Sequence, residues 1–289
     1  MKDILKVTNV TKTYLMGEVT ITALAGVSFT LREGEFIVVL GPSGSGKTVT
    51  AHRLRAELEK TGHKTHIISM DNYFRPLANG TDGIDLESPE RVDRELFGEQ
   101  SQKILRGEQV ILPVFNFTDQ SRSEGATFKR KDGEIVIFEG IHMLNPLVAG
   151  GLSEHAASVY VSVRTRIKGQ STVLHPSKIR LMRRFVRDKL FRGRELLQTI
   201  EFFENVERGE QLYIMPFKKY AEFDIDTFIA YEPSVYKKHI LSELRENAGK
   251  AEIIPELLGF LEELSDVSDE FVPKRSPVRE FIGGNELME

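Results

Sequence analysis

No cysteine occurs in the 289 residues. Disulfides, cysteine-ligated zinc and thiol nucleophiles are therefore excluded, and the lack fits a reducing compartment. Long apolar runs are missing too, since no stretch approaches the ~20 residues that span a bilayer. The opening MKDILKVTNVTKTY alternates charged and apolar residues, with neither a hydrophobic segment nor a cleavage site. The expectation is a cytoplasmic protein without a signal peptide or membrane insertion. Positive charge is not in excess. A net charge of −4 argues against a general nucleic-acid binder and leaves room for a local basic patch. The seven histidines show no HExxH or comparable spacing, so no zinc site is read. There is no Gly-x-Ser-x-Gly elbow and no basis for a hydrolase triad. What is present is ordinary for a globular chain: 40% hydrophobic and 28% charged residues, enough for one large α/β domain or two small ones.

Along the chain, residues 3–35 read as short strands punctuated by Gly17 and Gly34. Phe36-Ile37-Val38-Val39-Leu40 is a continuous apolar run of strand length, suited to a strand buried on both faces. Strand and helix patterns then alternate. Strands are expected at 65–69, 109–112, 134–138, 158–163 and 224–230. Helices are expected from the end of the glycine loop to about Lys60, and at 89–105, 177–192, 195–211 and 252–264. Residues 265–278, acidic and containing Pro273 and Pro277, read as an extended loop. Alternation of this kind implies a mainly parallel sheet with helices on both faces.

Gly41-Pro42-Ser43-Gly44-Ser45-Gly46-Lys47-Thr48 matches GxxxxGK[ST] without a mismatch. It follows an expected strand and opens an expected helix, the context that the motif requires. Glycines permit the turn and let backbone N–H groups close on phosphate, and the helix start adds positive potential. Gly41, Ser43, Gly44, Ser45 and Gly46 would cradle a nucleoside triphosphate. Lys47 would reach its β- and γ-phosphates, and the Thr48 hydroxyl would ligate Mg²⁺. The motif says nucleotide and leaves its use open.

Two resemblances meet in the chain. Leu5 to Tyr14, Ala23 to Phe29, and Gly34-Glu35-Phe36 running into the phosphate loop resemble the start of an ABC-transporter ATPase. There this stretch forms an antiparallel strand layer, and an aromatic at the place of Tyr14 stacks on adenine. The resemblance stops at the loop, because no LSGGQ-type signature follows and no apolar strand ends in Asp-Glu. From about Phe36 onward the chain resembles the uridine kinase and nucleoside kinase family of phosphoribulokinase-like enzymes. The motifs are Ile68-Ser69-Met70-Asp71-Asn72-Tyr73-Phe74, Leu112-Pro113-Val114-Phe115-Asn116-Phe117, Phe138-Glu139-Gly140-Ile141-His142 and Arg180 to Asp188. The closing Arg279-Glu280-Phe281-Ile282-Gly283-Gly284 resembles the tail of longer bacterial uridine kinase-like proteins. The chain thus looks like a chimera joined near a strand and phosphate loop common to both families.

The resemblance implies roles for particular residues. Asp71, just past a strand end, would be the base taking the acceptor's proton; by position alone it also suits a turn or helix cap. Glu139, ending an apolar strand, would hold Mg²⁺ with Thr48. Arg180, Arg183, Arg184 and Arg187 share one helix face, with Ile179, Met182, Val186 and Leu190 as its apolar side. The run from Arg164 to Arg194 holds eleven Lys or Arg and one acid, Asp188. Such a stripe is either a solvated face or a guanidinium lid over transferring phosphate. By resemblance Arg183 is the leading lid arginine, Arg180 sits toward the nucleoside, and Arg184 also serves the nucleotide. Phe115 stands where uridine kinases stack an aromatic on the base, with a core phenylalanine as the other reading. Glu87 would hold ribose hydroxyls. Gln120 replaces the histidine of pyrimidine-specific members, and Phe115-Asn116 replaces the commoner Tyr-Asp.

The expected fold is therefore an α/β P-loop domain with a mainly parallel five-stranded sheet, an Arg-rich helical lid and an appended N-terminal β segment. Expected segments are 1–35 (ABC-like), 36–232 (kinase core, lid at about 164–211) and 233–289 (helices and tail). The resemblance implies Mg²⁺- and ATP-dependent phosphorylation of a nucleoside 5′-hydroxyl, and leaves open whether the protein assembles as a homo-oligomer. Other readings are a related kinase acting on a phosphorylated sugar or pantothenate, an ABC-type nucleotide-binding module, and a folded but inactive chimera.

Overall fold

The computed structural model describes residues 3–16, 19–32, 36–77, 85–170 and 172–288. In chain order its elements are β1 (Asp3–Met16), β2 (Val19–Arg32), β3 (Phe36–Leu40), α1 (Lys47–Lys60), β4 (Thr65–Ser69), α2 (Arg94–Leu105), β5 (Gln109–Asn116), β6 (Ser121–Lys129), β7 (Ile135–Gly140), α3 (Pro146–Ala149), β8 (Ala156–Ser162), β9 (Ile167–Lys168), β10 (Val173–Leu174), α4 (Pro176–Arg192), α5 (Leu196–Gly209), β11 (Phe223–Asp226), α6 (Glu232–Glu246), α7 (Ile253–Glu262) and α8 (Arg279–Ile282). Among the described residues no helix is long and apolar enough to cross a membrane.

The five-stranded sheet has the order β11-β8-β3-β7-β4. β3 pairs parallel with both β7 and β8, and β4 pairs parallel with β7. Every residue of β3 and β7 is buried, Glu139 at the end of β7 included, and the apolar runs Phe36–Leu40 and Ile135–Phe138 suit their interior places in the sheet. The carboxyl end of β3 leads into Gly41, that of β4 into a 3-10 turn at Met70–Tyr73, and that of β7 ends at Gly140. Ligand-binding groups of open α/β sheets are carried at such strand ends.

Residues 3–32, expected as short strands, form two strands of 14 residues each. They pair as an antiparallel hairpin from Asp3↔Arg32 to Met16↔Val19. Register shifts, with Asn9 at φ 49°, absorb the breaks in the β pattern. Gly17, Gly34 and Glu35 lie outside the described residues, as does the side chain of Tyr14 with its implied adenine contact.

Other segments differ from expectation: the strand expected at 224–230 spans only Phe223–Asp226, and α6 stands where no helix was placed. The helix expected from Pro89 is a 3-10 turn at Pro89–Arg91, and α2 starts only at Arg94. Val92 bridges to Phe74 in extended conformation, and the Asp93 carboxylate accepts the Leu96 N–H as a cap. The short strand expected at 109–112 continues to Asn116 and returns as β6, an antiparallel hairpin with a bulge between Ile111 and Pro113. Pro113 interrupted the strand signal in the sequence, and the bulge accommodates it.

The chain divides into two compact units. The first comprises Met1–Gly41, Thr50–Tyr160 and Gly209–Ile225. Its core joins β3, β4 and β7 to α2 and the β5–β6 hairpin. Edge-to-face aromatic pairs run through it: Phe36–Phe138 at 5.2 Å, Phe97–Phe138 at 5.8 Å and Tyr73–Phe97 at 5.0 Å between ring centres. The second unit comprises Pro42–Val49, Val161–Arg208 and Asp226–Glu289. Its core joins α4 and α5 to the tail helices α6, α7 and α8 through Ile179, Met182, Phe203, Tyr236, Leu257 and Phe281. The tail from 233 onward thus belongs to the same core as the arginine helix.

Candidate active site

In the second unit, the loop leaving β3 is closed by a Ser45 N–H donating to the Pro42 carbonyl at 3.0 Å. Gly44 and Gly46 have φ of +81° and +84°, conformations that glycine adopts without strain. A Cβ on Gly44 would stand 3.3 Å from the Arg180 carbonyl. α1 begins at Lys47, so the first helical N–H groups open onto the loop. The Ser45 hydroxyl is fully buried with no hydrogen-bond partner among the described residues. Lys47 and Thr48 are half-buried. Left-handed glycines, a helix start and an orphaned buried hydroxyl fit a bound chain of phosphates. The described residues contain no cluster of three or more His, Asp or Glu able to hold a metal. A Mg²⁺ ion would accordingly take most of its ligands from phosphate and water, as this ion usually does in kinases.

The arginine helix packs on that loop. Arg180 donates to the Ser43 carbonyl at 3.3 Å and Arg184 to the Ser43 hydroxyl at 2.6 Å. Both guanidinium groups lie over the Phe203 ring. Arg183 is 1% exposed, and all five of its N–H groups are committed. They reach both Glu232 oxygens, the Gly44 carbonyl, and the hydroxyl and carbonyl of Thr227. The stripe is therefore not a solvated face. Arg183, expected as the leading lid arginine, holds protein groups with every donor, because Glu232 offers a buried counter-charge of matching geometry. Burial opposes its charge, and the Glu232 carboxylate outweighs that, leaving Arg183 above its ordinary pKa. Asp188, the single acid in the basic run, is fully buried among Arg187, Arg192 and Arg194 at 3.3–3.6 Å. Burial raises its pKa, and the arginines around it more than reverse that. Leu190, expected on the apolar side, is exposed.

In the first unit, Asp71 sits in the 3-10 turn directly after β4 and is half-buried. Glu139 is buried at the end of β7, in register with Ser69, whose hydroxyl donates to it at 2.5 Å. Gly140 follows because Met70 presses on it: a Cβ there would come 2.6 Å from the Met70 Cβ. Asn72 accepts the Phe115 backbone N–H at 3.1 Å and so ties the hairpin to the Asp71 turn. Phe115 is 5% exposed, packed edge-on to Phe74 and Phe117. It is a core residue, and the exposed aromatic at the hairpin tip is Phe117, at 54%. Phe115 points inward with Pro113, two residues before it, because the bulge between Ile111 and Pro113 shifts the alternation that begins with buried Val110.

Gln120 takes the left-handed tip position at φ 56°. Its side chain accepts from Arg91 at 3.2 Å and donates to the Phe117 carbonyl at 2.9 Å. Arg122 pairs with Asp93 at 2.9 Å. Burial works against the Asp93 charge, and the Arg122 hydrogen bond outweighs it, keeping this carboxyl below its usual pKa. Glu87 is half-buried, and its Cβ lies against Gly209, where any side chain would collide. Next to it Asp85 accepts from the Tyr213 hydroxyl at 2.9 Å. His142 is 1% exposed with both ring nitrogens lacking a hydrogen-bond partner among the described residues. Burial pulls its pKa down to about 4, partly countered by the Glu87 backbone and the Asp85 charge.

Glu232, Thr227, Asn72 and Phe117 were not picked out from the sequence. Glu232 lies 49 residues from Arg183 and carries no motif. Phe117 stands in the Leu112–Phe117 motif, but its two-residue spacing from Phe115 gave no sign that it, and not Phe115, would be the exposed ring.

Comparison with known proteins gives these features a family. Residues 36–230 match the model described as "Phosphoribulokinase / Uridine kinase family". A uridine kinase of Staphylococcus haemolyticus is 29% identical over 195 residues, covering 65% of this chain and 86% of the relative. One of Lactobacillus johnsonii is 30% identical over 191 residues, covering 64% and 83%. The solved structure of a possible uridine kinase from Bacillus stearothermophilus is similar with a TM-score of 0.46 at 17% identity, covering 67% of this chain and 89% of that one. These relatives do not bear on the ABC-like resemblance of residues 3–48. With the family model matched across the sheet, the phosphate loop, the Asp71 turn and the arginine helix, the chain belongs to the phosphoribulokinase / uridine kinase family and is an ATP-dependent kinase.

Proposed function

We propose that the acceptor is a nucleoside, phosphorylated at its 5′-hydroxyl from Mg²⁺-ATP. The observation that carries the reading is the Asn72–Phe115 hydrogen bond. It fixes an aromatic hairpin, with Phe117 exposed at its tip, to the residue beside the candidate base Asp71. An exposed ring held in that position suits a flat base. The curated relatives of similar sequence are uridine kinases.

In this reading Asp71 takes the proton of the attacking hydroxyl. The N–H groups of the 41–48 loop and the Lys47 ammonium bind the phosphates, and the Thr48 hydroxyl and Glu139 are the side chains that would hold Mg²⁺. The ion neutralises developing phosphate charge when bound. Arg180 and Arg184 are already at Ser43, where they add positive potential to the loop. Glu87 would accept from ribose hydroxyls.

A second reading, a different small-molecule acceptor such as a phosphorylated sugar, is favoured by one observation. Phe115 is buried, and Gln120 is spent on Arg91 and the hairpin backbone, so the base contacts of pyrimidine-specific relatives are not reproduced. ADP release from Mg²⁺-ATP, measured with a panel of nucleosides, sugar phosphates and pantothenate, separates the two. Stimulation by a nucleoside that is lost in Asp71→Asn supports the proposal. Stimulation by a sugar phosphate alone overturns it.

A further inference from the structure

The family match ends at residue 230, yet the network behind the phosphate loop is completed by residues beyond it. Three successive loop carbonyls are held from outside. Arg180 donates to Ser43 O at 3.3 Å, Arg183 to Gly44 O at 3.0 Å, and the Thr227 hydroxyl to Ser45 O at 2.6 Å. Because each peptide is planar and trans, a carbonyl fixed outward directs the next residue's N–H the opposite way. The Thr227 and Arg180 hydrogen bonds thus set the directions of the Gly46 and Gly44 N–H groups, the donors that a phosphate nest uses.

Arg183 is itself positioned by the tail. Glu232 accepts from its Nε at 2.7 Å and from its terminal nitrogen at 2.9 Å. Glu232 is fully buried and is held in turn by the Tyr236 hydroxyl at 3.0 Å and the Ile229 N–H at 3.0 Å. The Phe281 ring lies 5.2 Å under the Arg183 guanidinium and edge-on to Tyr236. Its neighbour Glu280 comes within 3.9 Å of where a Gly46 Cβ would be. Arg183 therefore has Glu232 on one side, Phe281 on a face and the loop at its end, and no freedom to choose another partner.

We propose that the tail residues Glu232, Tyr236 and Phe281 act through Arg183, together with Thr227, to pre-organise the phosphate loop for a nucleoside triphosphate. They are positioning residues, and the segment after 230 is part of the nucleotide-binding apparatus. Donors held in place before binding cost no reorganisation when the phosphates arrive. The proposal rests on the loop binding ATP and not on the identity of the acceptor.

The test uses the full chain with Thr227→Val, Thr227→Ser and Phe281→Leu, all checked for cooperative melting. Mg²⁺-ATP affinity is measured by equilibrium titration without acceptor, then KM for ATP, KM for acceptor and kcat separately. The expected result is a loss of ATP affinity of about tenfold in Thr227→Val, the scale of one hydrogen bond. The acceptor KM stays within about twofold, and Thr227→Ser recovers ATP affinity. Phe281→Leu, which keeps an apolar side chain and removes the ring, shows a smaller loss of the same selective kind, and it decides the matter if Thr227→Val does not fold. Folded variants with wild-type ATP affinity overturn the proposal. So does a parallel loss of ATP and acceptor binding, which general loosening would give. If the wild-type chain itself fails to bind ATP, the loop reading falls with it. If it binds ATP and no nucleoside stimulates turnover, only the acceptor assignment fails.

Discussion

Arg183 and Glu232 form a doubly hydrogen-bonded ion pair at 2.7 and 2.9 Å, with side chains 1% and 0% exposed. Desolvating two charges is costly, so the pair is weak support for stability as such, but breaking it from one side is severe. Glu232→Ala leaves a guanidinium buried without its counter-charge. The expected loss is about 3–5 kcal/mol in urea unfolding. Replacing both partners by apolar residues, Arg183→Met with Glu232→Leu, removes the stranded charge. That double variant should recover most of the lost stability while its ATP affinity stays low, since the Gly44 carbonyl is no longer held. Equal destabilisation of single and double variants would contradict this account.

The two hairpin phenylalanines should separate stability from acceptor recognition. Phe115, 5% exposed within the core, should cost about 3–5 kcal/mol when truncated to Ala. Phe117, 54% exposed, should change stability by no more than about 1 kcal/mol. Its truncation should instead raise the acceptor KM with the ATP KM unchanged. The check is a pair of melting curves and a pair of KM values for each variant. If Phe117→Ala leaves the acceptor KM where it was, the exposed ring is not a recognition surface.

His142 should make the fold sensitive to mild acid. Its folded pKa of about 4 lies below the ordinary 6.5, so the unfolded chain takes up a proton that the folded chain refuses. Stability from this residue is complete above about pH 6.5, declines as the pH falls, and is lost by about pH 4. The drop is of order 3 kcal/mol. His142→Phe has nothing to protonate there. Melting temperatures of the two proteins from pH 7.5 to pH 4 should converge or cross as the wild type falls faster. Parallel curves would show that His142 is not the sensitive group.

Much of this protein is set by local sequence. The apolar runs at 36–40 and 134–138 read as strands buried on both faces, and the structure has them as β3 and β7. GxxxxGKT between a strand and a helix reads as a phosphate loop, because glycine geometry and helix starts are local properties. Asp71 and Glu139 were placed at strand ends by position alone, and the structure puts them there. The break at Val92–Asp93 was missed because the Val92 bridge to Phe74 comes from elsewhere in the chain, and β6 because its pairing with β5 is a matter of register across a turn. What only tertiary structure decided is which charges face ligand and which face protein. An arginine stripe reads the same in sequence whether it is solvated, bound to phosphate or buried. The answer for Arg183 depends on Glu232, 49 residues away, and that for Asp188 on three surrounding guanidinium groups. Local rules fix backbone shape over a few residues, while desolvation and pairing of charge are settled only when distant segments are packed together.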